Sequence, residues 1–224
     1  MFDFFINHHV AFLSGLKTSL LLTASGLLLG IVFAALSTWA IQSQKPWYAL
    51  PVQSINHFLR STPFLVQIYL LYYGLPQFSW IHSGPLWAFF ESPTLCAILA
   101  LALNSSAYTT VLLHGAIRAI PKGEIEAAES LGFSKSQLFF WIQLKRVLLN
   151  SWAAYTNEII LIFKATSIAS TITVLDLMGV TRQLMSDTYQ TTECLAIAGI
   201  LYLLTTYLLS VFLFAIKRRY ITAK

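Results

Sequence analysis

Charge is what this sequence has least of. Only 10% of its 224 residues are Asp, Glu, Lys or Arg, whereas a soluble globular domain carries about 25%. With 57% hydrophobic residues the composition is that of a membrane protein. Cysteine is nearly absent as well. Cys96 and Cys194 are far apart and have neither metal nor redox spacing, so no disulfide framework is expected. No Gly-x-x-x-x-Gly-Lys-Ser/Thr loop occurs, which leaves no nucleotide-hydrolysing site in the chain itself. Neither Gly-x-Ser-x-Gly nor His-Glu-x-x-His is present, so an intramembrane hydrolase or metalloprotease has no constellation to work with. His8, His9, His57, His82 and His114 lack metal spacing on any shared helix and sit mainly at span ends. That argues against a haem-bearing subunit, and the histidines read as interfacial residues. No catalytic residue, metal ligand or bound cofactor is expected.

What the chain does have is long apolar runs. A spanning helix needs roughly 20 mostly apolar residues, and five stretches supply them: 11–41, 52–73, 94–117, 139–163 and 194–216. The first has no Lys or Arg before it and no Ala-x-Ala cleavage pattern after it, so it reads as a retained span. Gly15, Ser19, Ser25, Gly26 and Gly30 give it small residues suited to close helix contact in lipid. Gln42 to Pro51 is a polar break, and Arg60-Ser-Thr-Pro63 interrupts the second span. Leu75 to Pro93 is rich in Pro, Gly and Trp, as expected at a membrane surface. A short amphipathic helix is expected around Val174 to Met185. With the N-terminus outside, 11 of the 14 basic residues fall in 42–60, 114–146 and 217–224, leaving only Lys17, Lys164 and Arg182 elsewhere. The positive-inside rule therefore predicts an all-α protein with five spans, N-out and C-in. All of it forms one transmembrane domain, 1–224.

One polar insert, 118–138, separates the third and fourth spans and faces the cytoplasm in that topology. Pro121 suits a first helical turn. Glu124, Glu126 and Glu129 complement the dipole of the helix that follows. Gly132 can take the left-handed conformation that ends it, and Ser134 with Gln137 reads as a capping box opening a second helix. A solvated loop is the ordinary reading of a charged segment. Here both ends of a helix-turn-helix carry specific chemistry, and small residues favour a docked partner.

These residues resemble a known family. Glu126-Ala127-Ala128, then Gly132, then Ile142 and Leu144 are similar to the coupling loop of permease subunits of ATP-binding-cassette importers. Gly15-x-x-Thr18, Arg60-Ser-Thr-Pro-Phe-Leu-Val-Gln67, Ala102-Leu-Asn-Ser-Ser-Ala-Tyr108, Gly115-Ala-Ile-x-x-Ile-Pro-x-Gly123 and Lys164-x-Thr-Ser167 extend the likeness over nearly the whole length. More narrowly, the chain resembles the permeases for polar amino acids (histidine, arginine, lysine, glutamine), nearest the arginine systems. The resemblance implies a type I importer permease in a bacterial inner membrane. It implies a cytoplasmic ATP-binding subunit dimer that holds the ATP, a periplasmic solute-binding protein, and a second permease. Glu126, Ala127, Ala128, Leu131, Gly132 and Ser134 would form the docking turn. Lys145 stands where the family often has proline. Val111 and His114 replace a frequent Glu and Arg, and Ala165 replaces a frequent Asp.

Ionisable groups at bilayer depth are functional candidates, and Glu158 is the foremost. Its neighbours three and four residues away are Tyr155, Ala154, Leu161 and Ile162, none of them cationic. Lys164, six residues on, lies on another face of a straight helix. A charged Glu158 needs Lys17, a neighbouring subunit's Lys164, or a cationic ligand; otherwise it is protonated. The resemblance favours a ligand, since Asn157-Glu158 looks like the version found in histidine/arginine/lysine systems. The missing Asp at Ala165 further suggests a heterodimer with a related permease. Thr62, Gln67, Asn104, Ser105, Tyr108, Thr166 and Ser167 could complete a polar lining, although each could equally be glue between helices. The expected function is import of basic amino acids such as arginine, with another polar solute as the nearest alternative.

Overall fold

The computed structural model describes residues 2–43 and 45–221. Gln44 in the polar break and Lys224 among the C-terminal cations lie outside the described residues. Within them every regular element is helical. Helix α1 (Phe2–Gln42) starts well before the expected span. Helix α2 (Pro46–Ser61) opens inside the expected polar break, with Pro46 at its start. A short α3 (Phe64–Tyr69) continues as a π-helical stretch, Leu70–Gly74. The surface loop holds two single-turn helices, α4 (Ser79–His82) and α5 (Trp87–Phe90). Then come α6 (Pro93–Arg118), α7 (Lys122–Ser130) and α8 (Lys135–Gln137). A π-helical stretch, Leu138–Gln143, joins α8 to α9 (Leu144–Ala165). After a 3-10 turn, Thr166–Ile172, follow α10 (Leu177–Thr188) and α11 (Thr191–Ile216).

Among the described residues, α1, α6 and the α11 segment are individually long and apolar enough to cross a membrane. Lys135–Ile172 with Leu177–Thr188 makes a further candidate, bent by 47° at the break. The stretch read as a second span is not one helix. Proline lacks an N–H and biases the preceding residue to extended backbone, so the helix must stop before Pro63. Thr62 accordingly sits at φ −106°, ψ 143°.

The most extensive packing is α1 along α6. Gly15, Ser19, Gly26, Gly30, Ala34 and Thr38 form the buried stripe of α1. Its middle part, Gly26 and Gly30, faces Leu101, Ala102 and Ser105 of α6, also buried. A Cβ placed on Gly26 would lie 2.9 Å from Leu101 Cβ, and one on Gly30 would lie 3.2 Å from the Ala102 carbonyl oxygen. Small residues thus let the two backbones approach, as lipid-embedded helices require when no hydrophobic force drives them together. Leu22, Ile68, Leu101, Ile162 and Ile172 fill the core beside this seam.

A second cluster, Phe12, Leu177, Leu184, Cys194 and Ile197, joins α1 to α10 and α11. At its edge lies Asp176, fully buried at the N-terminus of α10. Its carboxylate accepts from the Gly179 N–H at 2.9 Å, from Tyr202 at 3.4 Å and from Ser19 at 3.5 Å. The Leu177 N–H donates to Ser19 Oγ at 3.1 Å. A buried carboxylate needs such donors, and these tie three helices together. The Asp before an apolar run is a capping signal that could have placed this helix start from sequence; Ser19, read only as a small residue, is its partner.

Gly15 makes that junction possible, because a Cβ there would lie 2.9 Å from the Asp176 carbonyl oxygen and 3.0 Å from Leu177 Cα. Gly15→Ala should therefore lower stability by about 1–3 kcal/mol, the usual cost of overpacking. A Cβ on Gly199 would meet nothing within 4 Å, and Gly199→Ala should be neutral or gain up to about 1 kcal/mol. Thermal unfolding of the two purified variants in detergent, compared with the parent, checks the contrast.

Candidate functional site

The polar residues singled out in the sequence separate into three groups. The first gathers at the α2–α3 break. Pro63 removes the N–H that would have bonded to the Leu59 carbonyl one turn back. Gln67 substitutes for it: its amide nitrogen donates to Leu59 O at 2.6 Å and also approaches Thr62 O (3.0 Å) and Thr62 Oγ1 (2.9 Å). Its amide oxygen accepts from Asn104 Nδ2 at 3.1 Å. Thr62 donates its hydroxyl to Phe58 O at 2.9 Å. Thr62, Gln67 and Asn104 are thus brought together, with both ends of the Gln67 amide engaged. One turn along α6 from Asn104, Tyr108 lies under the Arg60 guanidinium, 5.6 Å from ring centroid to Cζ. Its hydroxyl stands 3.5 Å from the Arg60 carbonyl oxygen.

The second group is Glu158 and its surroundings on α9. Glu158 is only 6% exposed. Ser105, next to Asn104 on α6, and Tyr155, one turn away on α9, are its polar neighbours. The Ser105 hydroxyl is buried without a hydrogen-bond partner and is wedged against Gly30 of α1. Among the described residues no cation lies within ion-pairing distance of Glu158. Lys17 and Lys164 are both exposed, so neither neutralises it within this chain. Asn157 is exposed and points to a different side of α9. Thr166 and Ser167 form no part of this group. Their hydroxyls donate to Phe163 O (2.7 Å) and Lys164 O (2.8 Å), carbonyls of the preceding turn of α9.

The third group is the turn between α7 and α8. Pro121 is the residue just before α7, one position earlier than a first helical residue. The Leu131 N–H donates to Ala127 O, Gly132 N–H to Glu129 O and Phe133 N–H to Ala128 O. This is the double closure that a left-handed residue permits, and Gly132 has φ +81°. Ser134 accepts from the Gln137 N–H at 3.4 Å, while the Gln137 side chain accepts from the Ser134 N–H at 2.8 Å. The expected capping box is complete. Ala128 is buried, whereas Glu126, Ala127 and Ser134 are exposed. Leu131, at the tip, is 77% exposed. Sequence reasoning missed the brace beneath the turn: Arg146 grips Glu124 with two hydrogen bonds, Nε to Oε2 at 2.7 Å and an η nitrogen to Oε1 at 2.5 Å. Twenty-two residues separate the partners, so no local pattern signals it.

Comparison with known proteins gives a consistent result. Residues 26–222 match the family described as "Binding-protein-dependent transport system inner membrane component". The arginine ABC transporter permease protein ArtM of Haemophilus influenzae is 41% identical over 208 residues, 92% of this chain and 90% of that protein. The octopine transport system permease protein OccM of Rhizobium radiobacter is 37% identical, covering 90% of this chain and 82% of its own length. A crystal structure of an amino acid ABC transporter with histidines superposes with a TM-score of 0.86 at 28% identity, covering 98% of each chain.

Space around Gly132 is open, since nothing lies within 4 Å of where a Cβ would stand. Any penalty for substitution is therefore one of backbone conformation. Gly132→Val should cost roughly 1–2 kcal/mol of local stability, while Gly132→Asn, which tolerates the left-handed region, should cost less. Faster amide exchange over residues 122–137 in the valine variant than in the asparagine variant is the expected result.

Proposed function

This chain belongs to the family of binding-protein-dependent transport system inner membrane components, and from that membership we propose that it imports basic amino acids such as arginine. It is an inner-membrane permease subunit. The observation that carries the substrate class is Glu158, a buried carboxylate with no cation to meet it within the described chain. An uncompensated charge at that depth is costly, and the ammonium or guanidinium of a basic amino acid supplies the missing partner. The names of the similar arginine and octopine permeases agree with that chemistry.

In this reading Glu158 receives the cationic group, with Ser105 free to donate its hydroxyl. Asn104, Thr62 and Tyr108 belong to the wall opposite, which Gln67 holds in shape. Asn157 and Ser167 stand at the margin of the path, where a second and related permease would complete it, whereas Thr166 is fully buried. The chain crosses the membrane five times, the broken α2–α3 segment being the second crossing, with the N-terminus outside and the C-terminus in the cytoplasm. The α7–α8 turn then faces the cytoplasm and docks in a groove of a separate ATP-binding subunit. Leu131 supports this, as an apolar side chain at the tip left 77% exposed by the described residues. Glu126, Ala127, Ala128, Gly132 and Ser134 shape the docking element. A periplasmic binding protein delivers the solute, and ATP is bound and hydrolysed by the partner.

Two experiments test the reading. In proteoliposomes holding the full importer and its binding protein, Glu158→Gln should cut arginine or lysine uptake about tenfold to a hundredfold, the range for one lost charge-assisted contact. Neutral substrates should be affected far less; an equal loss for all solutes would make Glu158 a structural residue. For topology, Ser130→Cys should react with an impermeant thiol reagent only in inside-out vesicles. Labelling from the outside of intact cells would overturn the orientation.

A further inference from the structure

At the end of α6 remote from the coupling turn, the surface loop folds into a cleft of ≈ 270 Å³. Tyr72 and Tyr73 from the π-helical stretch, Pro76, Trp87 and Phe90 of α5, and Glu91 line it. The two tyrosine rings meet edge-on at 4.8 Å, and His82 braces the Trp87 ring at 4.2 Å. Aromatic side chains lining one cleft with a carboxylate are suited to an organic cation, attracted by the ring quadrupoles and by the negative charge. The charge pattern of the sequence isolates that carboxylate. Glu91 is the only acidic residue between Asp3 and Glu124, and no Lys or Arg occurs between Arg60 and Arg118. Among the described residues no cation pairs with Glu91. A surface anchor of Trp and Tyr alone needs no carboxylate beside it.

We propose that this cleft binds a guanidinium or alkylammonium group. The proposal rests on the basic-amino-acid reading for the source of that cation, not for its chemistry. The source is either the free solute, held before it enters the path to Glu158, or a lysine or arginine side chain of the delivering binding protein. Binding here is weak, as one exposed carboxylate and a few ring faces allow, which suits a way station that must release what it holds.

The test uses the intact importer in lipid nanodiscs, carrying Glu158→Gln so that the inner carboxylate contributes nothing. Saturation-transfer NMR compares methylguanidinium with its neutral isostere N-methylurea. Methylguanidinium should bind and N-methylurea should not. Glu91→Gln or Trp87→Leu should each weaken binding by about threefold to fivefold, and Glu91→Asp should retain most of it. Equal binding of the two probes, or no effect of either substitution, overturns the site and leaves the aromatic group as an interfacial anchor. Uptake in a Glu158-intact complex, titrated with loaded binding protein, identifies the source. A rise of about threefold in the half-saturating concentration for Glu91→Gln points to a side chain of the binding protein. An unchanged value, with methylguanidinium binding reduced, points to free solute. Should arginine uptake survive Glu158→Gln while methylguanidinium binding still depends on Glu91, the role given to Glu158 fails and the cleft stands.

Discussion

The close approach of α1 and α6 is the contact on which the rest of the structure depends. In lipid the apolar surfaces of helices gain little by meeting each other, so association rests on packing and on polar contacts. Gly26 and Gly30 remove the side chains that would hold α6 away, and Leu101, Ala102 and Ser105 occupy the space. Ser105 is thereby fixed against α1 while its side chain faces Glu158 of α9. Without the glycine stripe, α6 would stand off from α1, and Ser105 would lose the contact that holds it beside Glu158.

The second constraint is that buried backbone groups must be satisfied inside the protein. Each of two breaks in the helical run is answered by one side chain. At Pro63 the orphaned Leu59 carbonyl is taken by Gln67. Where the chain re-enters helix after the 3-10 turn, Asp176 caps α10 and draws in Ser19 and Tyr202. The intervening Thr173 adopts φ +68°, an unusual conformation for a β-branched residue. The surrounding packing of Ile172 and Val174 holds it there.

These two cases mark where sequence reading succeeds and where it stops. The turn at 121–137 is legible almost residue by residue, because left-handed glycine, Ser134 and Gln137 act over three or four positions. The apolar lengths identify the membrane class, but they merge α2 and α3 into one stretch and begin α1 too late, since hydropathy marks lipid-facing length rather than helix ends. In sequence, Gln67 is one more polar group in a span. Its work is set by a carbonyl eight residues away and by an amide on α6. Asp176, Ser19 and Tyr202, or Glu124 and Arg146, are joined only by tertiary folding, so nothing local could have paired them.

The Glu124–Arg146 brace gives the layout its mechanical sense. Arg146 lies at the base of the helical rod that also carries Glu158, twelve positions on, roughly 18 Å along a helix axis. A docking turn attached only by flexible chain would absorb any push from a partner. Here the first helix of the turn is gripped by a two-bonded guanidinium, and its second helix runs without a break through Leu138–Gln143 into the rod. In the proposed importer, a displacement at the turn must therefore move α9, and with it the carboxylate that meets the substrate. The pair is partly exposed, at 46% and 32%, so it adds little to stability. Its value lies in direction: two parallel hydrogen bonds fix the orientation of one helix on another, which is what converting a push into a rotation requires.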